Sequence, residues 1–304
     1  MKFTKYIFLI FIIPIYCQFG KNIVQYKSFD WHYIQSKYFD VYFYDSDKGS
    51  TNINSNAEFV ARESLKSYDI ISNAIGWKLK NRIPIIVYNS HNDFQQTNII
   101  DMYMPEGVGG VTELYKNRVV IPFDGNNNQF KTVIHHELVH AFINDYIYKG
   151  SIQNMQNDDV ILIPLWMNEG LAEFLSTPWQ TESDMWMRDL VVNGEKLPKL
   201  NDLNGYLAYR GGQSVWKYIV EELDTLYAQG KTEAPSIIAS IFSAISTSSD
   251  LNTALEKALN IDLESLESGW HKYLKSEYWP DINNRDYLDD ISSSIFDYEK
   301  VSST

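Results

Sequence analysis

The chain has 304 residues, 44% of them apolar and 21% charged, which are ordinary globular proportions and exclude a wholly disordered chain, a collagen-like fibre and a polytopic membrane protein. Its 26 basic and 39 acidic residues leave a net charge of −13, which repels phosphate backbones and argues against nucleic acid as a partner. The only cysteine is Cys17, so an internal disulfide, a CxxC metal knuckle and a cysteine nucleophile deep in the chain are all excluded.

Lys2 and Lys5 form a short positive head, and an apolar run from Tyr6 to Tyr16 follows, interrupted by Pro14. The run is too short to span a bilayer, so residues 1–17 read as a secretory signal peptide and the mature chain has no transmembrane span. A lipid anchor on Cys17 is the weaker alternative, because Tyr16 is bulky where a lipoprotein signal needs a small residue. Either form places the protein outside the cytoplasm, secreted or in a bacterial periplasm or cell envelope.

Residues 29–44 are rich in aromatic and β-branched side chains and predict two strands with a turn near Gln35–Lys37. Helical spacing over 56–75 ends at Gly76. Arg82–Tyr88 reads as a strand, and Pro84 argues for an edge or strand-end position. Gly107–Gly110 form a turn, and Val111–Phe123 hold a further β segment whose best part is Arg118–Ile121. Asn126–Asn128 reads as a loop. Helices are then expected at 129–147, 164–176, 182–192, 206–228, 235–245, 249–259 and 263–277, with Asp202 and Asp250 as caps. The fold class is therefore α+β. Its expected parts are the signal segment 1–17, an N-terminal α/β lobe over 18–128, a mainly helical lobe over 129–280, and a tail over 281–304. That tail carries six acidic and two basic side chains.

Chemistry concentrates at His135-His136-Glu137-Leu138-Val139-His140. This is an HExxH pattern, and on a helix residues four apart share a face, so His136 and His140 reach one metal ion. Neutral imidazole suits zinc. Glu137 lies beside His136 and is placed to take a proton from activated water. His135 points about 100° away from His136. A third ligand is expected from Trp166-Met167-Asn168-Glu169-Gly170-Leu171-Ala172-Glu173-Phe174, a second helix opening after Pro164. Glu169 and Glu173 share a face, so one carboxylate can coordinate the ion while the other holds a histidine ring.

HHELVH at 135–140 followed by WMNEGLAEF at 166–174 resembles the gluzincin metallopeptidases, which include thermolysin-like enzymes and aminopeptidases. The resemblance implies a Zn2+ ion held by His136, His140 and Glu169, with Glu173 holding His136. It also suggests Tyr209, in AYRGGQSVWKY at 208–218, as a group aimed at the oxyanion. The gap of 28 residues between His140 and Glu169 is long for the group, and reads as a surface insertion at about Tyr146–Leu162. Over nearly the whole chain the sequence is similar to secreted bacterial proteins with an N-terminal peptidase-MA domain, in which a TolB-like β-propeller usually follows. The resemblance implies a secreted zinc metallopeptidase acting on a peptide or protein substrate, with an association with the cell envelope as a further expectation.

Other readings are weaker on the residues. A non-catalytic envelope protein keeping the fold as a binding platform would show loss of Glu137 or a ligand, and none is lost. A glycan-binding module would draw on the eight tryptophans, which fall within strand and helix patterns. No G-x-S-x-G supports a serine hydrolase. His91 reads as a loop residue, and His32 and His271 as structural or exposed. Val111–Ile121 is a candidate edge strand for pairing with extended substrate.

Overall fold

The computed structural model describes residues 24–44, 55–100, 105, 107–150, 160–194, 196–224 and 235–283. The signal segment with Cys17, most of the acidic tail and the middle of the expected insertion lie outside these residues.

Five strands form one mixed sheet: β1 (Trp31–Gln35), β2 (Phe39–Tyr44), β3 (Ile83–Tyr88), β4 (Val111–Glu113) and β5 (Arg118–Pro122). Their spatial order is β1-β2-β3-β5-β4. The three inner strands run parallel, and β1 and β4 close the two edges antiparallel to their neighbours. Side-chain alternation divides the sheet into two faces. Val41, Ile85, Val119 and Ile121 face the main core, while Tyr44, Ile86, Tyr88 and Val120 form a smaller cluster with Phe94. Both faces of the inner strands are covered, which explains why β3 and β5 read as nearly unbroken apolar runs.

The main face carries α1 (Ser55–Ile75) and α3 (Asn127–Ile147), and the other face carries the short α2 (His91–Phe94). After α3 come α4 (Leu165–Ser176), α5 (Thr181–Asn193), α6 (Tyr206–Tyr218), α7 (Ile237–Ile245), α8 (Leu251–Leu259) and α9 (Leu263–Asn283). The described chain is α+β and mostly helical. Helix α3 is enclosed on most sides, by the β4–β5 edge, α1 and α4, so Phe130, Ile134, Leu138, Ala141 and Phe142 are all buried.

Several local expectations are corrected. Pro84 does sit at a strand end, as the second residue of β3, but β3 is the central strand and not an edge. The missing N–H is tolerated because it falls where the ladder begins. Val111–Phe123 is a hairpin of two strands, reversed at Asn117 with φ of +50°. Asn126 is an N-cap whose side chain accepts from the N–H groups of Asn128 and Gln129, so α3 starts at Asn127 inside the expected loop. His91 likewise opens a helical turn capped by Ser90. Of the helix expected over 206–228, Tyr206–Tyr218 is α-helical and Ile219–Leu223 form a π-helical turn, while residues 225–228 lie outside the described residues. Asp250 caps α8 through Thr253 N–H, whereas Asp202 lies inside a 3-10 turn, and Gly205 precedes α6. The expected surface insertion has buried ends: Ile147, Tyr148 and Ile161 all enter the core, and Tyr148 Oη accepts from Ile163 N–H.

Candidate metal centre and active-site cleft

His136 and His140 leave the same face of α3, and their Nε2 atoms lie 3.1 Å apart. Glu169 reaches them from α4, with Oε2 at 3.3 Å from His136 Nε2 and 3.2 Å from His140 Nε2. This atom is buried and meets no donor in hydrogen-bonding geometry. Three lone-pair donors thus form a triangle with edges of 3.1–3.3 Å. A tetrahedral zinc ion with bonds of about 2.0–2.2 Å spaces its donors by roughly 3.3–3.5 Å, so the set fits one such ion with little movement. Among the described residues, this is the set of His, Cys, Asp and Glu side chains that converges in this way.

The outward ring nitrogens are also held. His136 Nδ1 lies 3.3 Å from Glu173 Oε1, and His140 Nδ1 lies 3.2 Å from Asn168 Oδ1. If each Nδ1 donates its proton outward, each Nε2 keeps its lone pair for the centre. Glu173 is itself anchored, because Arg210 donates to its other oxygen at 2.9 Å. The electrostatics point the same way. Burial pushes the His136 ring toward neutrality, but Glu169 and Glu173 outweigh it and raise its pKa to about 10. Burial pushes Glu169 up, and the two histidines pull it well below the usual carboxylate range. The surroundings stabilise positive charge at this point, which is what a metal cation supplies.

Glu137 follows His136 into a cleft of about 430 Å3. One wall is the turn Gly107–Gly110, the floor is α3 at Thr132, Val133, His136 and Glu137, and the other wall is Tyr206, Tyr209 and Arg210. Thr112 on edge strand β4 places its Oγ1 at 2.7 Å from Glu137 Oε2 and 2.8 Å from Glu137 carbonyl oxygen. The turn packs most tightly at Gly110, where a Cβ would stand 3.0 Å from Glu137 Cγ, Ile121 Cγ2 and Val133 Cγ1. The Tyr209 ring stacks parallel to His136, with centroids 5.9 Å apart and planes 11° apart. A sequence profile of the Peptidase MA superfamily matches residues 66–276, from within α1 to within α9, and spans this entire cleft floor and metal cluster.

The chain belongs to the Peptidase MA superfamily. No curated protein matches it at a significant level. Membership makes this a metallopeptidase-type protein with peptides or proteins as substrates. No helix among the described residues is long and apolar enough to cross a membrane.

The structure gathers all six sequence-predicted site residues of this peptidase domain around one point: His136, Glu137, His140, Glu169, Glu173 and Tyr209. It leaves the other histidines elsewhere. His135 is buried on a different face of α3, and burial lowers its pKa to about 4. His271 Nε2 meets Pro198 carbonyl oxygen at 2.9 Å, and His32 lies on the far edge strand β1. Sequence reasoning missed Thr112, Asn168 and Arg210. Asn168 and Arg210 each adjoin a residue already singled out, and that adjacency was the available signal. Nothing in β4 alone marks Thr112.

What brings α6 to the cluster is a crossing with α4 at two glycines. A Cβ on Gly170 would lie 2.3 Å from Gly212 carbonyl carbon, and one on Gly212 would lie 2.2 Å from Trp166 carbonyl oxygen. Only glycine on both helices permits this approach, and it sets Tyr209 and Arg210 beside Glu169 and Glu173.

Proposed function

We propose that this chain is a secreted, zinc-dependent metallopeptidase that hydrolyses peptide bonds with Glu137 as general base. The observation that carries the reading is the convergence of His136 Nε2, His140 Nε2 and Glu169 Oε2 within 3.3 Å, with Glu137 one residue away in an open cleft. His136, His140 and Glu169 would hold the ion. Bound there, zinc supplies a Lewis acid that acidifies water and polarises the scissile carbonyl.

The remaining work falls to the protein. Glu137 accepts the proton of the attacking water and passes it to the nitrogen of the leaving amine. The Thr112 hydroxyl fixes one carboxylate oxygen of Glu137 and leaves the other to the cleft. Burial, with Glu169, Glu137 and Glu173 nearby, pushes the Tyr209 pKa up, so its hydroxyl remains a donor and can stabilise the oxyanion. Glu173 and Asn168 hold the two imidazoles in the tautomer that points Nε2 inward, and Arg210 holds Glu173. Among the described residues β4 is an edge strand, and its outer edge beside Glu137 would pair with an extended substrate. Export rests on the Lys2 and Lys5 head with its apolar run.

The test is zinc content together with hydrolysis of a peptide library by protein lacking residues 1–17. One bound zinc ion, activity lost to a chelator and restored by zinc, and a cleavage profile are expected. A protein that binds no zinc, or that cleaves undiminished after chelation, sinks the reading.

A further inference from the structure

The wall that α6 gives the cleft continues past Tyr209. Tyr206 lies one helical turn earlier and also lines the cleft. Its hydroxyl donates to Glu182 Oε1 at 2.9 Å and accepts from Arg210 Nε at 3.0 Å, which fixes the ring. Trp186 of α5 packs on that ring, with centroids 4.9 Å apart and planes 56° apart. Helix α5 is tied rigidly to α6 by a buried hydrogen bond from Ser183 Oγ to Gln213 Oε1. Tyr206, Trp186 and the adjacent Met185 are nevertheless 44%, 46% and 59% exposed, so the contact does not serve to bury them. Beyond Trp186 a groove of about 800 Å3 runs between α5 and the end of α9, lined by Met185, Trp186, Val192 and Pro280.

Among the described residues, charge along this groove is one-sided. Arg188 is shared between Asp184 at 2.7 Å and Asp281 at 3.0 Å. Asp189 lines the groove, is exposed and has no cationic partner among the described residues. The excess is negative, and it lies beside an indole face that attracts cations. The path from Tyr209 to Trp186, one helical turn and one ring contact, is roughly 10 Å long, about three residues of extended chain.

We propose that the α5–α9 groove is a continuation of the substrate cleft. It takes an aromatic or long aliphatic side chain flanked by a lysine or arginine, about three residues from the scissile bond. The occupant is therefore an extended peptide with an apolar–basic pair, bound through Trp186 and Met185 on one side and Asp189 on the other. This rests on the peptidase reading, and the experiment keeps the two apart by measuring binding without turnover.

Zinc-loaded Glu137→Gln protein is titrated with Gly/Ser peptides of about ten residues, long enough to span cleft and groove. Each carries a Phe-Lys pair moved one position at a time, and binding is read by calorimetry and tryptophan fluorescence. Peptides with the pair in register are expected to bind about tenfold more tightly than their Phe→Ser or Lys→Glu forms. Adding Trp186→Ala should erase that preference, Trp186→Phe should keep most of it, and Met185→Ser, which removes apolar surface without adding charge, gives a second disruption. Equal affinity for all peptides, an undiminished preference in Trp186→Ala and Met185→Ser, or no binding anywhere in the series overturns the groove assignment. Hydrolysis of the same peptides by the wild-type protein reports separately on the peptidase reading.

Discussion

Helix α3 and the α4–α6 pair build the same centre by different physics. His136, Glu137 and His140 are brought together by the helical repeat, because residues one turn apart share a face wherever the helix lies. Tyr209 and Arg210 reach the centre only because Gly170 and Gly212 let two helices touch backbone to backbone. The first arrangement survives most changes elsewhere in the core. The second depends on two hydrogen atoms standing where side chains would be. The contrast is between chemistry that is local in the chain and support that is assembled from a distance, and each half can be broken separately.

The largest effect is expected within α3. Glu137→Gln should lower kcat/KM by about 10²–10⁴-fold while zinc content and thermal stability stay at wild-type values, since only proton transfer is removed. Undiminished turnover would refute the general-base role.

Breaking the α4–α6 crossing should instead damage stability and the centre together. Gly212→Ala sets a Cβ 2.2 Å from Trp166 carbonyl oxygen and 2.8 Å from Gly170 Cα, which overpacks backbone against backbone. A loss of about 1–3 kcal/mol in urea unfolding is expected, with weaker zinc binding. Gly107→Ala is the control, because its Cβ meets nothing within 4 Å, and it should stay within about 0.5 kcal/mol of wild type. Equal stability of the two variants would show that the crossing tolerates separation.

Glu173 connects the two halves, since it touches His136 of α3 and Arg210 of α6. Glu173→Ala should weaken zinc affinity by about 10–100-fold in a chelator competition, less than loss of a ligand. Arg210→Lys keeps the charge but not the fork and should fall between wild type and Glu173→Ala. Unchanged affinity in Glu173→Ala would separate the ring from its support.

The smallest effect belongs to the edge strand. Thr112→Val removes one hydroxyl from Glu137 at nearly constant shape, at a cost of about 0.5–1.5 kcal/mol. It should lower kcat several-fold with KM unchanged, and Thr112→Ser should recover most of the loss. A change confined to KM would make Thr112 a substrate contact and not a support of Glu137.

Elements with a strong local signal were legible from the residues. The α1 and α3 helices, the two strands of 29–44 and the Asp250 cap follow from periodicity and capping chemistry. Pro84 argues for an edge or a strand end, and it stands at the start of the central strand. Other local readings differ from the structure. Ile219 to Leu223 carry an α-helical pattern, yet the chain there adopts a π turn that no residue announces. Asp202 has the chemistry of a cap without the position, because α6 begins beyond Gly205.

The sequence by itself determined the fold class and pointed to a candidate metal-binding cluster, because i,i+4 spacing on α3 and on α4 encodes a shared face without reference to anything else. It also marked Tyr209 as a candidate. Tertiary structure alone decided that the two faces meet within 3.3 Å, that Thr112, Asn168 and Arg210 hold Glu137, His140 and Glu173, and that Trp186 packs on Tyr206 of the cleft wall. These are contacts between segments far apart in the chain. Their geometry is set by how closely two helices and a sheet edge can pack, and a residue's own neighbours in sequence carry no record of that distance.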